Sequence, residues 1–294
     1  MTLAVDRRSN MHTVSSPEHP DWAVEVCRDR VSRAGEVRDE IRRAWRGHSK
    51  DSPRRIHFSP REQEGRWMVV LNTLKPMPVR LSVLFGEWLY LLRSTLDGFV
   101  YYLAVQDSQS DPPANERNLY FPVFTDPAAY DNVDHRRKLK ALSDETFALL
   151  REYQPFTEKL GYKSSALWWL QELARIDRHR RGHALAPHID LLLVDIAEPL
   201  VGLGHRLPDS VRAIPVDESA PMPLFEFEAP ADWDLQAIRA HWDPSRIVYP
   251  YLDVTEWFRE VTIKMGALNL DERMMACEDS VRQIIIDALS THQA

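Results

Sequence analysis

Five basic side chains crowd the end of one predicted helix, in the sequence ALWWLQELARIDRHRRGH (166–183): Arg175, Arg178, His179, Arg180 and Arg181. This run could attract a phosphate group or RNA, because cations alone account for nonspecific phosphate binding, although not for the recognition of a base sequence. Cations near the C-terminus of a helix are also favoured by the helix dipole. The pattern therefore allows both a ligand site and a purely structural explanation.

Metal binding is a second chemistry that this segment suggests, since His179 and His183 are four residues apart and follow Asp177. However, Gly182 is expected to end the helix between the two histidines, and neither an HExxH motif nor a cysteine cluster accompanies them. We therefore predict no metal ion and no cofactor.

The predicted helix at about 164–181 carries two charges on its apolar side. With 3.6 residues per turn, Asp177 and Arg180 share the side occupied by Trp169, Leu173 and Ile176. An unpaired buried ion costs several kcal/mol, so both charges require partners.

Partners are available on a longer helix that is predicted to begin near Pro78. Its polar stripe contains Arg93 and Asp97, which are four residues apart and can pair with each other. We predict that the two helices pack with Arg93 opposite Asp177 and Asp97 opposite Arg180, and a separation above about 6 Å would reject these pairs. Such a network would either fix the helix register or form an active or ligand-binding site, and the sequence leaves both alternatives open.

Hydrophobic periodicity outlines the rest of the chain and predicts an α+β fold. Further helices are predicted at 21–46, 127–141, 143–153 and 271–291, and the segments RRIHF and RWMVVLNTL predict a β-hairpin at about 54–75. After Gly182 the pattern becomes extended, and Phe225 and Phe227 are expected on one face of a strand. The predicted organisation is a disordered tail at 1–19, a helical bundle with the hairpin at 20–182, and a β-rich extension with a terminal helix at 183–294.

Bulk composition excludes several classes of protein. The formal net charge of -7 argues against a whole-protein electrostatic grip on DNA or an anionic membrane. The two cysteines form neither a zinc motif nor a disulfide framework, and the N-terminal segment lacks the apolar stretch of a signal peptide. We therefore expect a cytoplasmic protein without a membrane partner.

Several segments together resemble a large group of uncharacterised bacterial proteins. These segments are LLRSTLDGFVYYLA, FPVF, QPF and LWWLQELARIDRHR. In that group, a helix like NLRSALDHLVYQL is followed by a helix that ends in a DKHR-like motif. The resemblance covers roughly residues 54–182 and implies a bacterial protein, without indicating an activity.

The pattern R-x4-H on a helix of a bundle also resembles the HEPN superfamily (higher eukaryotes and prokaryotes nucleotide-binding). This resemblance implies either a binding module or a metal-independent ribonuclease of a stress or defence system. In the ribonuclease, Arg93 or Arg178 would hold the phosphate, and His179 or His183 would act as acid or base in cleavage assisted by the 2′-hydroxyl.

The chain departs from this pattern in each of the two frames that could supply the histidine. In RSTLDG, the residue that would be histidine is Gly98, and the alternative frame from Arg178 to His183 spans Gly182. The prediction is therefore a HEPN-like binding or structural module, with the ribonuclease as the alternative. Its predicted partners are RNA or a nucleotide, and a second copy of the chain or another protein. The candidate site residues are Arg93, Asp97, Asp177, Arg178, His179, Arg180 and His183.

Overall fold

The computed structural model describes residues 22–179, 185–190, 196, 198–203, 213–242, 250–254 and 269–293, so the predicted tail at 1–19 lies outside the described residues. The described helices are α1 (Trp22–Lys50), α2 (Val79–Ser108), α3 (Pro127–Tyr130), α4 (Val133–Lys138), α5 (Asp144–Glu152), α6 (Ala166–His179), α7 (Leu235–His241) and α8 (Leu270–Gln293). The described strands are β1 (Arg54–Pro60), β2 (Arg66–Thr73), β3 (Leu185–Asp190), β4 (Val201–Leu203), β5 (Ala213–Pro215), β6 (Met222–Glu228) and β7 (Tyr251–Val254). The predicted α+β class is confirmed.

Helices α1, α2, α6 and α8 pack together into a bundle with α2 in contact with the other three. Large apolar side chains of α2, including Phe85, Trp88 and Phe99, are completely buried in its core. Burial at this depth removes apolar surface from water and contributes about 25 cal/mol per Å² to stability. None of the described helices combines the length and the apolar character that crossing a membrane requires.

Two antiparallel sheets accompany the bundle, with the strand orders β1-β2-β6-β4 and β5-β3-β7. The register of β2 against β6 shifts between Val69 and Val70, which pair with Phe225 and Pro223. This bulge gives β6 an extra residue, so Leu224 and Phe227 are buried whereas Phe225 is only half-buried. The alternation predicted for this strand therefore does not extend through the bulge.

Elements on both sides of the predicted boundary at 182/183 pack against each other. The hairpin strand β2 pairs with β6, and the side chain of Arg66 donates to Glu228 across this pair at 3.0 Å. Helix α8 packs against α1, α2 and α6. The N-terminal hairpin thus completes a sheet of C-terminal strands, and the C-terminal helix completes the bundle.

Local signals explain where several helices begin. Pro78 directly precedes α2, as predicted, and the Ser143 hydroxyl accepts from the first turn of α5 at 3.0 Å. Ser165 stands directly before α6 and accepts from a backbone amide of that helix at 3.4 Å. The single helix predicted at 127–141 is two short helices, because Asn132 accepts from the Asp134 amide at 2.8 Å and starts α4.

Candidate functional site

Two charged side chains of α2 hold the backbone of one residue outside the helix. The Arg93 Nη2 donates to the carbonyl oxygen of Phe121 at 2.8 Å, and the Phe121 amide donates to Asp97 Oδ1 at 2.9 Å. The same Asp97 oxygen lies 2.9 Å from Arg93 Nη2, so the two side chains also form an ion pair. Both backbone groups of Phe121 are therefore satisfied by side chains, much as a neighbouring β-strand would satisfy them.

The extended segment FPVF (121–124) is secured further by Gln154, which is completely buried. The Gln154 amide nitrogen donates to the Pro122 carbonyl at 3.0 Å, and its oxygen accepts from the Phe124 amide at 2.9 Å. Motifs that carry the family resemblance, RSTLD, FPVF and QPF, thus contact one another. This finding gives those motifs a structural role, because a buried segment without such partners would lose several hydrogen bonds.

The Arg93 side chain is not fully satisfied by this arrangement. Its residue is 8% exposed, and Nη1 is buried without a hydrogen-bond partner among the described residues. Burial lowers the pKa of Arg93, the Asp97 carboxylate opposes this shift, and the guanidinium of Arg178 lowers the pKa further. Since arginine stays protonated in proteins, the lowered pKa indicates a cation with too little compensating negative charge.

Arg93 lines a cleft of about 190 Å³ between α2 and α6. Arg178 lies at the same cleft; its Nε donates to the Ala174 carbonyl of its own helix at 3.1 Å, and its residue is exposed. The lining residues are Gly86, Leu89, Tyr90, Arg93, Ser94, Asp97, Ala174, Asp177 and Arg178. Two cations and two carboxylates therefore share one small space that opens to solvent.

Gly86 allows Asp177 to approach the backbone of α2. A β-carbon added at Gly86 would lie 3.1 Å from Asp177 Oδ2, which is closer than side-chain packing normally permits. Helix α6 therefore places a carboxylate, in addition to the Arg178 guanidinium, against the wall formed by α2. The sequence pattern predicted the inward position of Asp177 but gave no reason for the glycine opposite it.

Of the two ion pairs predicted between α2 and α6, the structure describes both residues of only one. Arg93 forms its ion pair with Asp97 on its own helix, and the described ion pairs do not join Arg93 to Asp177. The second pair involves Arg180, which lies outside the described residues, as does His183. His179 ends α6, and its side chain also lies outside the described part of the chain.

Gly98, which stands where the resemblance places a histidine, faces a cation. A β-carbon added there would lie 3.4 Å from Arg30 Nη1, and this nitrogen donates to the Ser94 carbonyl at 3.2 Å. The position five residues after Arg93 therefore lies on the α1 side of α2 and supplies neither an acid nor a base.

A second buried charged network, which the sequence analysis missed, joins α1 to α8. Glu278 is 3% exposed and accepts from Arg38 Nε and Trp88 Nε1, each at 3.0 Å. Arg38 also donates to Asp271 at 3.1 Å. The charges of α8 alternate with its apolar residues, which was the available signal, but their cationic partner Arg38 lies more than 200 residues away.

The described residues contain no group of three histidine, cysteine or acidic side chains arranged to hold a metal ion. Comparisons of the chain with protein-family models, with curated proteins and with solved structures gave no match. The geometry of the cleft is therefore the basis for any functional assignment.

Proposed function

We propose that the protein is a binding module whose cleft between α2 and α6 takes a small anionic group, with phosphate as the chemical class. The observation that carries this proposal is the unpartnered Nη1 of Arg93 among the described residues. A buried donor without a partner costs about 1–3 kcal/mol, and an anionic oxygen in the cleft would supply the missing acceptor.

The position of Arg178 supports the same ligand class. Its guanidinium lowers the pKa of Arg93, which means that the two cations repel each other, although burial is the larger cause of that shift. An anion between them would replace this repulsion with two attractive, charge-assisted hydrogen bonds.

The size of the cleft limits what can enter it. Its volume of about 190 Å³ is below the roughly 300–1,000 Å³ of pockets that enclose drug-sized ligands. A phosphate group fits this description, with the rest of a nucleotide or RNA strand outside the cleft, next to the exposed ring of Tyr90. This partner agrees with the resemblance to HEPN binding modules.

The ribonuclease alternative needs an acid or base beside the two arginines. His179 and His183 are the candidates, whereas Gly98 removes the other position that the resemblance offers. Binding without cleavage therefore requires fewer assumptions, and we treat cleavage as an outcome to be tested.

Binding is tested by calorimetric titration with inorganic phosphate and with adenosine 5′-monophosphate, using adenosine as the ligand without phosphate. Arg178→Ala should weaken phosphate affinity about tenfold, the effect of losing one charge-assisted hydrogen bond. Arg175→Ala is the matched control, because Arg175 lies on the same helix but pairs with Glu172 away from the cleft. Equal affinity in wild type and Arg178→Ala would refute the proposal, and so would an equal loss in both variants.

Cleavage is tested with a fluorescent single-stranded RNA in the presence of EDTA. RNA cleavage that is lost in His179→Ala or His183→Ala would favour the ribonuclease. Phosphate binding without RNA cleavage would support the binding module. Equal cleavage by wild type and both variants would exclude these histidines as catalysts.

A further inference from the structure

A buried histidine lies where the bundle meets the four-stranded sheet. His48 is in the last turn of α1, is 5% exposed, and has its ring centroid 5.7 Å from that of Trp45. Neither ring nitrogen has a hydrogen-bond partner among the described residues. Buried polar atoms are nearly always paired, so two unpaired nitrogens on one ring require a physical explanation.

Two neighbouring side chains carry unpaired polar atoms at the same place. Arg54 begins β1 and has a side chain that is 7% exposed; its Nη2 pairs with Glu218 at 2.6 Å, but its Nε is buried without a partner within the described chain. Thr73, the register partner of Arg54 on β2, likewise leaves its hydroxyl unpaired. We call the set His48, Arg54, Thr73 and Glu218 the α1–β1 junction.

Four charged groups face the His48 ring: Arg54, Lys75, Glu218 and Asp51. They come from β1, from the segment after β2, from the connection between β5 and β6, and from the turn after α1. Both carboxylates are already engaged. Glu218 accepts from Arg54 and, at 2.9 Å, from the amide of Met77, while Asp51 pairs with Lys75 at 2.6 Å.

A proton on His48 would therefore be poorly accommodated. The resulting imidazolium would be buried beside the guanidinium of Arg54, and each nearby carboxylate would have to leave an existing partner to compensate it. Burial lowers the pKa of His48 below its usual value, and Arg54 lowers it further, in agreement with this geometry.

We propose that the α1–β1 junction is an acid-sensitive lock, in which protonation of His48 releases the hairpin from the end of α1 while the bundle core stays folded. Described contacts at this place join the hairpin to the end of α1: the Arg54 guanidinium lies 5.6 Å from the centre of the Trp45 ring, and Lys75 pairs with Asp51. The proposal does not depend on anion binding at the α2–α6 cleft.

The sign of the pH dependence follows from the neutral state of the buried ring. His48 binds a proton more weakly in the closed junction than in the open one, where its pKa is about 6.5. The lock is therefore fully effective above that pH and weakens as the pH falls below it. One pH unit below that value corresponds to a change of about tenfold in the opening equilibrium.

The test is amide hydrogen exchange of the full chain at pH values from about 7.5 to 5.5, corrected for the intrinsic pH dependence of exchange. In wild type, protection of β1 and β2 amides should fall about tenfold more than protection of central α2 amides. His48→Phe and His48→Gln, which cannot take up a proton here, should lose this excess. His241→Gln, which removes an exposed histidine, should retain it.

The outcomes separate clearly. An excess loss in wild type and His241→Gln that is absent from both His48 variants supports the lock. No excess loss in wild type overturns it, whatever the variants do. An excess that persists in either His48 variant also overturns it, because the titrating group would then lie elsewhere.

Discussion

Arg38 and Arg93, two arginines of the bundle, differ in how fully their charge is compensated. Arg38 pairs with Glu278 and Asp271; burial lowers its pKa, but these two carboxylates together raise the pKa above the usual value. Arg93 has one carboxylate, Asp97, and its pKa stays lowered by burial. Arg38 thus joins α1 to α8, whereas we propose that Arg93, with a single paired carboxylate among the described residues and an adjoining cleft, attracts an external anion.

The largest loss of stability is expected when the Glu278 carboxylate, which pairs with Arg38, is removed. Glu278→Ala removes the most buried of the carboxylates paired with Arg38 and the acceptor of the Trp88 indole, and removing one member of a buried pair costs about 3–5 kcal/mol. Urea unfolding measures this loss. A decrease below about 1 kcal/mol would show that the pair is no more important than one on the surface.

A smaller loss of stability, together with a larger response to phosphate, is expected when the Asp97 carboxylate beside the cleft is removed. Asp97→Ala removes the only carboxylate paired with Arg93 and the acceptor of the Phe121 amide within the described chain, at a cost of about 2–3 kcal/mol. Because positive charge is then in excess, millimolar phosphate should raise the melting temperature of Asp97→Ala more than that of wild type. Glu278→Ala serves as the control and should show no such excess; an equal phosphate effect in both variants would break the distinction between the two arginines.

The smallest expected effect is a change in phosphate affinity caused by substitution of Asp177. Asp177→Asn removes a negative charge from the cleft wall, so an incoming phosphate meets less repulsion and should bind about fivefold more tightly, or roughly 1 kcal/mol. Glu172→Gln, which changes a carboxylate of the same helix away from the cleft, should leave phosphate affinity unchanged. Calorimetric titration checks both, and weaker binding by Asp177→Asn would show that this carboxylate positions the arginines.

The sequence predicted the positions of the helices better than the contacts that their side chains make. Apolar spacings of three and four residues located α1, α2 and the terminal helix, because helical periodicity is a local property. The same periodicity placed Arg93 on a polar stripe, yet Arg93 is buried, since the segment around Phe121 crosses that stripe. Which carbonyl an arginine meets is decided by chain packing, and no spacing within α2 contains that information.

The contacts that shape the cleft were not visible in the sequence for a related reason. The apolar side of α6 correctly required a partner for Asp177, but the space opposite it comes from the missing side chain of Gly86 and not from Arg93. Gln154 was visible only as part of the QPF sequence, although the nitrogen and the oxygen of its side-chain amide hold the two ends of the Pro122–Phe124 stretch. Short-range patterns record residue types, whereas these contacts join residues about 30 positions apart.

The pairing of β2 with β6 also has a consequence during synthesis on the ribosome, because β2 emerges long before β6. Arg66 and Glu228 face each other across 162 residues of chain, so the inner edge of the hairpin has no partner strand when it emerges. At roughly 5–20 residues per second, Glu228 follows on the order of 10–30 s later. During that interval the apolar strand RWMVVLNT presents an unpaired edge, the kind of surface on which nonnative strand pairing and aggregation begin.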